Sequence, residues 1–376
     1  MKRFEALDSW RGIAACLVAF YHMQKMSVNG HLTGLALQLN SYLFVDFFFV
    51  LSGFVIAANY EQRLAEGYSP WRFALLRFGR LYPLHISVLL ACIGLHLANA
   101  ASGVAGVSAF QPPFWSADTI VANLLLLHSL HAFDFLTWNA PSWSISTEFY
   151  TYLLFAAAVA LTRRRIVMLL LPVVVASALA LCMLVHDMDT TYDWGLIRCL
   201  LGFSVGVLAW RVHRAAWLRS GTALELISIG LMMAFLWSAG GTRLSLAAPA
   251  VFSIVVLVFA AEAGAVSRLL RAPALRWLGE RSYSIYMVHF LGWLLLVDCA
   301  KLVKRLGFDL ISEIESGHPW KNDVVSLVYF LLVLGVAAGS YRVIEVPARA
   351  WFKRLATRAG RDARLAMRRP PAHEPV

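Results

Sequence analysis

Charge is scarce in this chain. Asp, Glu, Lys and Arg make up 15% of its 376 residues and hydrophobic residues 60%, and the mean hydropathy is +0.66. A soluble globule of this length cannot cover its surface with so little charge, so the composition excludes soluble classes and indicates a polytopic membrane protein. Cysteine is scarce too: Cys16, Cys92, Cys182, Cys199 and Cys299 stand singly in apolar segments. That scatter excludes a disulfide framework and any zinc-ligand spacing, so no metal is expected. Acidic residues are fewer than basic ones, 22 against 33, for a net charge of +11. The basic residues fall between apolar segments rather than on a soluble face, which indicates membrane orientation and no nucleic-acid partner. The sequence has no tandem repeat, no low-complexity block and no second soluble domain. No small-residue cleavage site follows Lys2 and Arg3, so the first apolar segment is expected to stay as a span.

What is there is a series of about ten apolar segments, at residues 10–26, 37–58, 81–99, 143–161, 166–185, 194–210, 224–238, 246–263, 283–302 and 324–344. The expected fold is therefore all-α, a bundle of about ten transmembrane helices with both termini cytoplasmic, since most Lys and Arg then fall inside. The stretch 118–133 holds His128 and His131 and is too short to cross comfortably. It reads as re-entrant or interfacial, because a crossing there would put Arg163, Arg164 and Arg165 outside. Gly202 and Gly206 form a GxxxG pair suited to close helix packing. Residues 1–352 are expected to form one membrane domain, and 353–376 a basic, disordered cytoplasmic tail.

Ionisable groups inside the apolar segments are the exceptions that point to chemistry. Arg11 and His22 are eleven residues apart, which returns them to almost the same helical face about 16 Å further along. Asp46 and Glu148 are expected at the depth of His22. Ser144 and Tyr152 each lie four residues from Glu148, and Tyr42 lies one turn from Asp46. A histidine oriented by a carboxylate suits acyl transfer, where an acceptor hydroxyl loses its proton as a thioester carbonyl is attacked. His22 is thus the expected general base, with Asp46 or Glu148 orienting it, and Ser144, Ser146 or Asn139 offers hydrogen bonds to the oxyanion. Arg11, Arg77 and Arg80 gather at the opposite end, where they suit the phosphates of a nucleotide-bearing donor. His85 and His289 read as structural.

Five blocks, LDSWRGIAACLVAFYH, FVDFFFVLSGFVIA, RFGRLYPLH, APSWSISTEFYTYLLF and GERSYSIYMVHF with the terminal IEVPARAWF, resemble the acyltransferase type 3 family of integral membrane enzymes. They occur in the family's order from Leu7 to Phe352. The resemblance implies transfer of an acyl group, usually acetyl, from cytoplasmic acyl-CoA to a hydroxyl of a cell-surface or lipid-linked saccharide at the outer face of the inner membrane. By matching position it makes Arg11 and His22 the family's Arg-x10-His pair, Arg77 and Arg80 its basic pair, and Glu148 the acid of its WSxSxE block. The chain departs from the family at Ser9-Trp10, where a Gly is usual, and at Thr147, where a second acid is frequent. Acyl transfer to a lipid, peptide or small metabolite is the alternative within the family. A proton or solute transporter is the alternative outside it, and binding of acetyl-CoA separates the two.

Overall fold

Apolar runs of about twenty residues with few breakers become helices, because in hydrocarbon every backbone N–H and C=O must be satisfied within its own segment. The computed structural model describes residues 3–25, 31, 35–102, 114–215, 220–307, 312 and 318–367. Among them there is no strand. The helices are α1 (Glu5–Lys25), α2 (Phe44–Ile56), α3 (Pro70–Ser102), α4 (Ala117–Leu124), α5 (Trp143–Thr162), α6 (Val167–Leu184), α7 (Gly195–Arg214), α8 (Thr222–Ala239), α9 (Ala248–Ala260), α10 (Ala265–Leu270), α11 (Pro273–Arg305), α12 (Pro319–Ser340) and α13 (Val346–Met367). Nine helical stretches among the described residues are long and apolar enough to cross a membrane. The tenth expected span is α1. It is not among the nine, and Asp8, Arg11 and His22 lower its hydropathy, yet it packs along α11 more extensively than any other helix pair does.

The stretch expected to be re-entrant forms only the eight residues of α4, about 12 Å of helix, too short to cross. Polar contacts fix it. Asn123 donates to Thr137 Oγ1 at 2.8 Å, Trp138 donates to Thr119 Oγ1 at 2.9 Å, and His85 Nε2 donates to the Asn123 carbonyl at 3.0 Å. The rings of His85 and His128 lie parallel with centroids 5.6 Å apart. Burial, with a smaller contribution from His85, pushes His128 down to about 3, so it is held neutral as it pairs with Ser142. The last span passes through a π-helical turn, Tyr341–Glu345, into α13, which runs to Met367. Residues 368–376 lie outside the described residues.

The core sits around α2, whose Phe44, Phe47, Phe49 and Phe54 are almost wholly buried beside Phe203, Phe252 and Phe259. Two crossings are too close for side chains. A Cβ at Gly206 would lie 2.0 Å from the Val50 carbonyl oxygen, so the expected GxxxG packing does bring α7 onto α2. A Cβ at Gly279 would lie 2.3 Å from the Asp8 carbonyl oxygen, and one at Gly12 would lie 2.5 Å from the Gly279 nitrogen. These small residues let α1 and α11 run side by side in the same direction. Gly279→Ala must therefore push two backbones apart, with an expected cost of about 1–3 kcal/mol. Thermal unfolding in detergent reads this directly, and an unshifted melting temperature would show that the crossing tolerates a methyl group.

Candidate active site

The parallel contact of α1 and α11 lines up their polar residues. At one end Arg11 Nε donates to Ser282 Oγ at 2.7 Å and its terminal nitrogen to the Gly279 carbonyl at 3.0 Å, with Asp8 3.3 Å away. At the other end the rings of His22 and His289 lie with centroids 4.8 Å apart. On α11, Ser282, Tyr286 and His289 follow at i, i+4 and i+7, on one face.

A cavity of about 730 Å³ opens at the arginine end and runs between α1, α2, α3, α5, α11 and α13. Eight basic side chains line it, Arg3, Arg11, Arg63, Arg72, Arg77, Arg80, Arg349 and Lys353, against three acidic ones, Asp8, Glu148 and Glu280. Several of the cations have unused donors. The Nε atoms of Arg72, Arg77 and Arg349 are buried without a hydrogen-bond partner, and no hydrogen bond or ion pair to Arg80 occurs among the described residues. Tyrosines hold the guanidinium groups in place. Arg63 lies over Tyr68 at 4.3 Å and Arg77 over Tyr60 at 5.1 Å, contacts that orient a charge without neutralising it. Buried donors with no acceptor cost free energy unless something anionic arrives. An electropositive, tyrosine-lined cleft of this kind is built for a polyanion.

Deeper in, the wall becomes hydroxyl-rich. Tyr152 Oη donates to Glu148 Oε1 at 2.6 Å and meets Ser52 Oγ at 2.7 Å. Ser144 Oγ meets Tyr286 Oη at 2.8 Å, and Tyr286 donates to the Pro141 carbonyl at 3.0 Å. Beyond Tyr286 lies His289, whose ring is 5.7 Å from the tyrosine ring, and then His22. His22 Nδ1 lies 2.9 Å from the Val18 carbonyl oxygen. A carbonyl only accepts, so Nδ1 carries the proton and Nε2 is the basic nitrogen of the neutral ring.

The structure brings Arg11, Arg77, Arg80, Glu148, Ser144 and Tyr152 onto one cavity. It separates the other expected site residues from them. Asp46 is corrected: both its oxygens accept from Arg198, at 3.0 and 2.7 Å, with neither residue more than 1% exposed. Arg198 donates two more hydrogens to the carbonyls of Thr190 and Tyr42. Asp46 has no bond to His22 and belongs to a structural ion pair between α2 and α7. Glu148 does not orient His22 either, since its hydrogen bond is to Tyr152 one turn along α5. Ser146 spends its hydroxyl on the Leu126 carbonyl, 2.5 Å away. The Asn139 amide donates to the Met287 carbonyl at 3.1 Å. Neither Ser146 nor Asn139 lines the cavity, and His22 does not line it either: the inner wall ends at Tyr286, and the rings of His289 and then His22 lie beyond it.

Arg63, Arg72, Arg349 and Lys353 were not expected at the site. Arg349 is held by Glu345, which is itself buried and accepts from Ser284 at 2.7 Å. The π-helical turn ending at Glu345 turns both residues inward; such one-turn irregularities recur at functional sites. The signal was in the IEVPARAWF block, where an acid and an arginine stand four residues apart across a proline.

The sequence profile of an acyltransferase domain matches residues 4–342 of the chain. The chain belongs to the acyltransferase type 3 family. It is similar to the protein named acyltransferase MdmB of Streptomyces mycarofaciens, 27% identical over 340 residues that cover 81% of this chain and 79% of that one. It is also similar to protein 2 in the picA locus of Rhizobium radiobacter, 32% identical over 165 residues that cover 41% of this chain and 82% of that one. No solved structure matches it. Family membership makes the chain an acyltransferase and a multi-pass membrane protein, and it sets aside the transporter alternative.

Proposed function

We propose that this acyltransferase moves an acyl group, acetyl in the simplest case, from acyl-CoA on the cytoplasmic side of the inner membrane to a hydroxyl of a cell-surface or lipid-linked saccharide at the outer side. The observation that carries the reading is the cavity: buried guanidinium nitrogens without an acceptor at its mouth, and a hydroxyl-rich inner wall that reaches Tyr286, beyond which lie the rings of His289 and His22. Acyl-CoA has the matching layout, a polyanionic nucleotide joined to a long neutral arm that ends in the thioester. Its phosphates would rest on Arg77 and Arg80, with Arg63, Arg72, Arg349 and Lys353 at the rim. Arg11, pinned to α11, would meet the near end of the arm. Ser52, Tyr152 and Glu148 offer donors and an acceptor to the arm's amides.

In this reading His22 Nε2 takes the proton of the acceptor hydroxyl as the oxygen attacks the thioester carbonyl carbon. The C–O bond forms, the C–S bond breaks, and the leaving thiolate recovers the proton from the imidazolium, so no proton is gained or lost. The membrane supplies the lipid setting, and no metal takes part.

Donor binding is the first test. Acetyl-CoA at a hundredfold excess over its Kd is expected to stabilise the purified protein by about 2.7 kcal/mol, a rise in melting temperature of about 3 °C for a chain of this length. Arg80→Ala should remove most of that rise, and added salt should weaken it. No rise at any donor concentration would overturn the reading of the cavity.

A further inference from the structure

A second cavity, of about 380 Å³, lies at the other end of the bundle from the arginine cavity. Tyr21, ten residues past Arg11 and so about 15 Å further along α1, is in its wall. Four parts of the chain meet there: Tyr21 near the end of α1, Asn40 and Tyr42 ahead of α2, Asp187 and Asp189 between α6 and α7, and Gly241 between α8 and α9. No lining residue carries a positive charge. Arg198 donates to the Tyr42 carbonyl from behind the wall, and Asp46 matches its charge. The two cavities therefore have opposite electrostatic character, and a polyanion that suits the first is repelled by the second.

The wall is held in place by its own contacts. Asn40 donates to the Leu236 carbonyl at 2.6 Å, and its amide sits on Gly240, where a Cβ would lie 1.6 Å from Oδ1. The loop that carries the two carboxylates is anchored by the buried Met188, whose N–H donates to Ser245 Oγ at 2.8 Å. The rings of Tyr21 and Tyr42 stand with centroids 5.7 Å apart. Tyr42 is only 8% exposed, and its hydroxyl oxygen accepts from the Gly241 N–H at 3.4 Å. Its own hydrogen has no acceptor among the described residues. A buried O–H that donates to nothing costs free energy until a ligand accepts from it.

A ligand that fits this wall accepts from a phenol, donates to carboxylates and lays C–H surface against aromatic rings. A saccharide does all three, since every hydroxyl both donates and accepts and the ring carbons are apolar on their faces. A metal ion fits less well, because no group of three metal-ligating side chains occurs among the described residues. The Tyr21 ring also lies 5.2 Å from the ring of His22, which places the cavity beside the proposed general base.

We propose that this cavity is the acceptor subsite of the transferase and selects neutral or amine-bearing saccharides over acidic ones. Tyr42 donates to a sugar oxygen, and Asp187 and Asp189 accept from sugar hydroxyls or pair with an ammonium group. The same carboxylates turn away a uronic acid. No bond is made or broken in the subsite itself. The inference rests on the proposed transfer to a saccharide hydroxyl, and its failure can be told apart from failure of that proposal.

Methyl glucoside, methyl glucosaminide and methyl glucuronide offer one kind of ring with no charge, an ammonium group and a carboxylate. Their binding to the purified full-length protein would be read by saturation-transfer NMR, and transfer by release of CoA thiol from acetyl-CoA. Wild type, Tyr42→Phe, Asp189→Asn and Asp189→Lys are compared, each first checked for the wild-type unfolding temperature in detergent. Wild type is expected to bind the glucoside and the glucosaminide in preference to the glucuronide. Tyr42→Phe should weaken the glucoside about threefold to tenfold. Asp189→Lys should move the preference between glucosaminide and glucuronide by about tenfold or more toward the glucuronide. Asp189→Asn, on an exposed position and of the same shape, should move it about threefold in the same direction, which keeps the test open if the lysine disturbs the loop. The KM for acetyl-CoA should stay unchanged throughout, whereas a merely structural role would weaken all three glycosides alike. No binding of any glycoside to wild type would overturn the inference, as would a charge preference that stays within twofold of wild type in both Asp189 variants. Binding that follows these rules without CoA release would keep the saccharide site and remove the proposed transfer. CoA release whose preference ignores every substitution would keep the transfer and remove the subsite.

Discussion

His22→Ala is expected to lower acyl transfer by about a thousandfold, the middle to upper range for loss of a general base, while leaving the protein in the membrane at its normal level. The expectation follows from the geometry. His22 is half-buried rather than sealed in, its Nδ1 is satisfied by the Val18 carbonyl, and its ring lies at the far end of α1 from Arg11. A methyl group in its place removes the basic nitrogen and leaves the helix intact, because alanine is the best helix former. The structural cost includes the bond to Val18, made within one turn. CoA release from acetyl-CoA, compared at equal protein, measures the loss. The acetyl-CoA thermal shift should survive, since the cations proposed to hold the phosphates lie at the arginine end of α1, away from the substitution. Loss of turnover with retained donor binding assigns His22 to the chemical step, whereas turnover within tenfold of wild type would remove it from that step.

The helices could be read from the sequence because the bilayer imposes one strong rule, about twenty apolar residues for each crossing. The exceptions have local causes. α1 carries enough polar side chains to blur its signal, and the last helix extends past its apolar run because α13 lies against α3, with Phe352 seated on Gly79. The site was legible at one end only. Arg11, Arg77 and Arg80 could be named because charge in or beside an apolar run is rare, and they do share a cavity. The Glu345–Arg349 pair stands in the sequence, but nothing in a linear sequence shows that the last helix packs against the third, which is what brings Arg349 and Lys353 to the cavity. The grouping of His22, Asp46 and Glu148 rested on equal depth. Depth is one coordinate out of three, and it gives no information on which helix faces which. Asp46 is on a helix whose polar contact is Arg198 of α7, a residue four positions into an apolar stretch that drew no attention. His289, read as structural from its place in the sequence, has its ring 4.8 Å from that of His22.

That reassignment of Asp46 makes a second large effect predictable. Arg198→Met should be strongly destabilising, by about 3–5 kcal/mol, because it leaves the Asp46 carboxylate buried with no counter-charge. The same substitution combined with Asp46→Leu removes both charges and both desolvation penalties, and such paired replacements are often close to neutral. Some loss remains, because Arg198 also donates to the carbonyls of Thr190 and Tyr42, at 3.0 and 3.3 Å, and these would go unpaired. The double variant is therefore expected to regain at least half of the stability lost in Arg198→Met, as read from detergent unfolding, a non-additivity that only directly interacting residues show. Its activity per folded molecule decides the role of Asp46. If the carboxylate serves only to bind α2 to α7, the folded double variant transfers acyl groups at close to the wild-type rate. If Asp46 oriented His22, the double variant would be as inactive as His22→Ala however stable it became. Because stability and turnover are expected to recover together, a variant that regains one without the other would contradict the structural assignment.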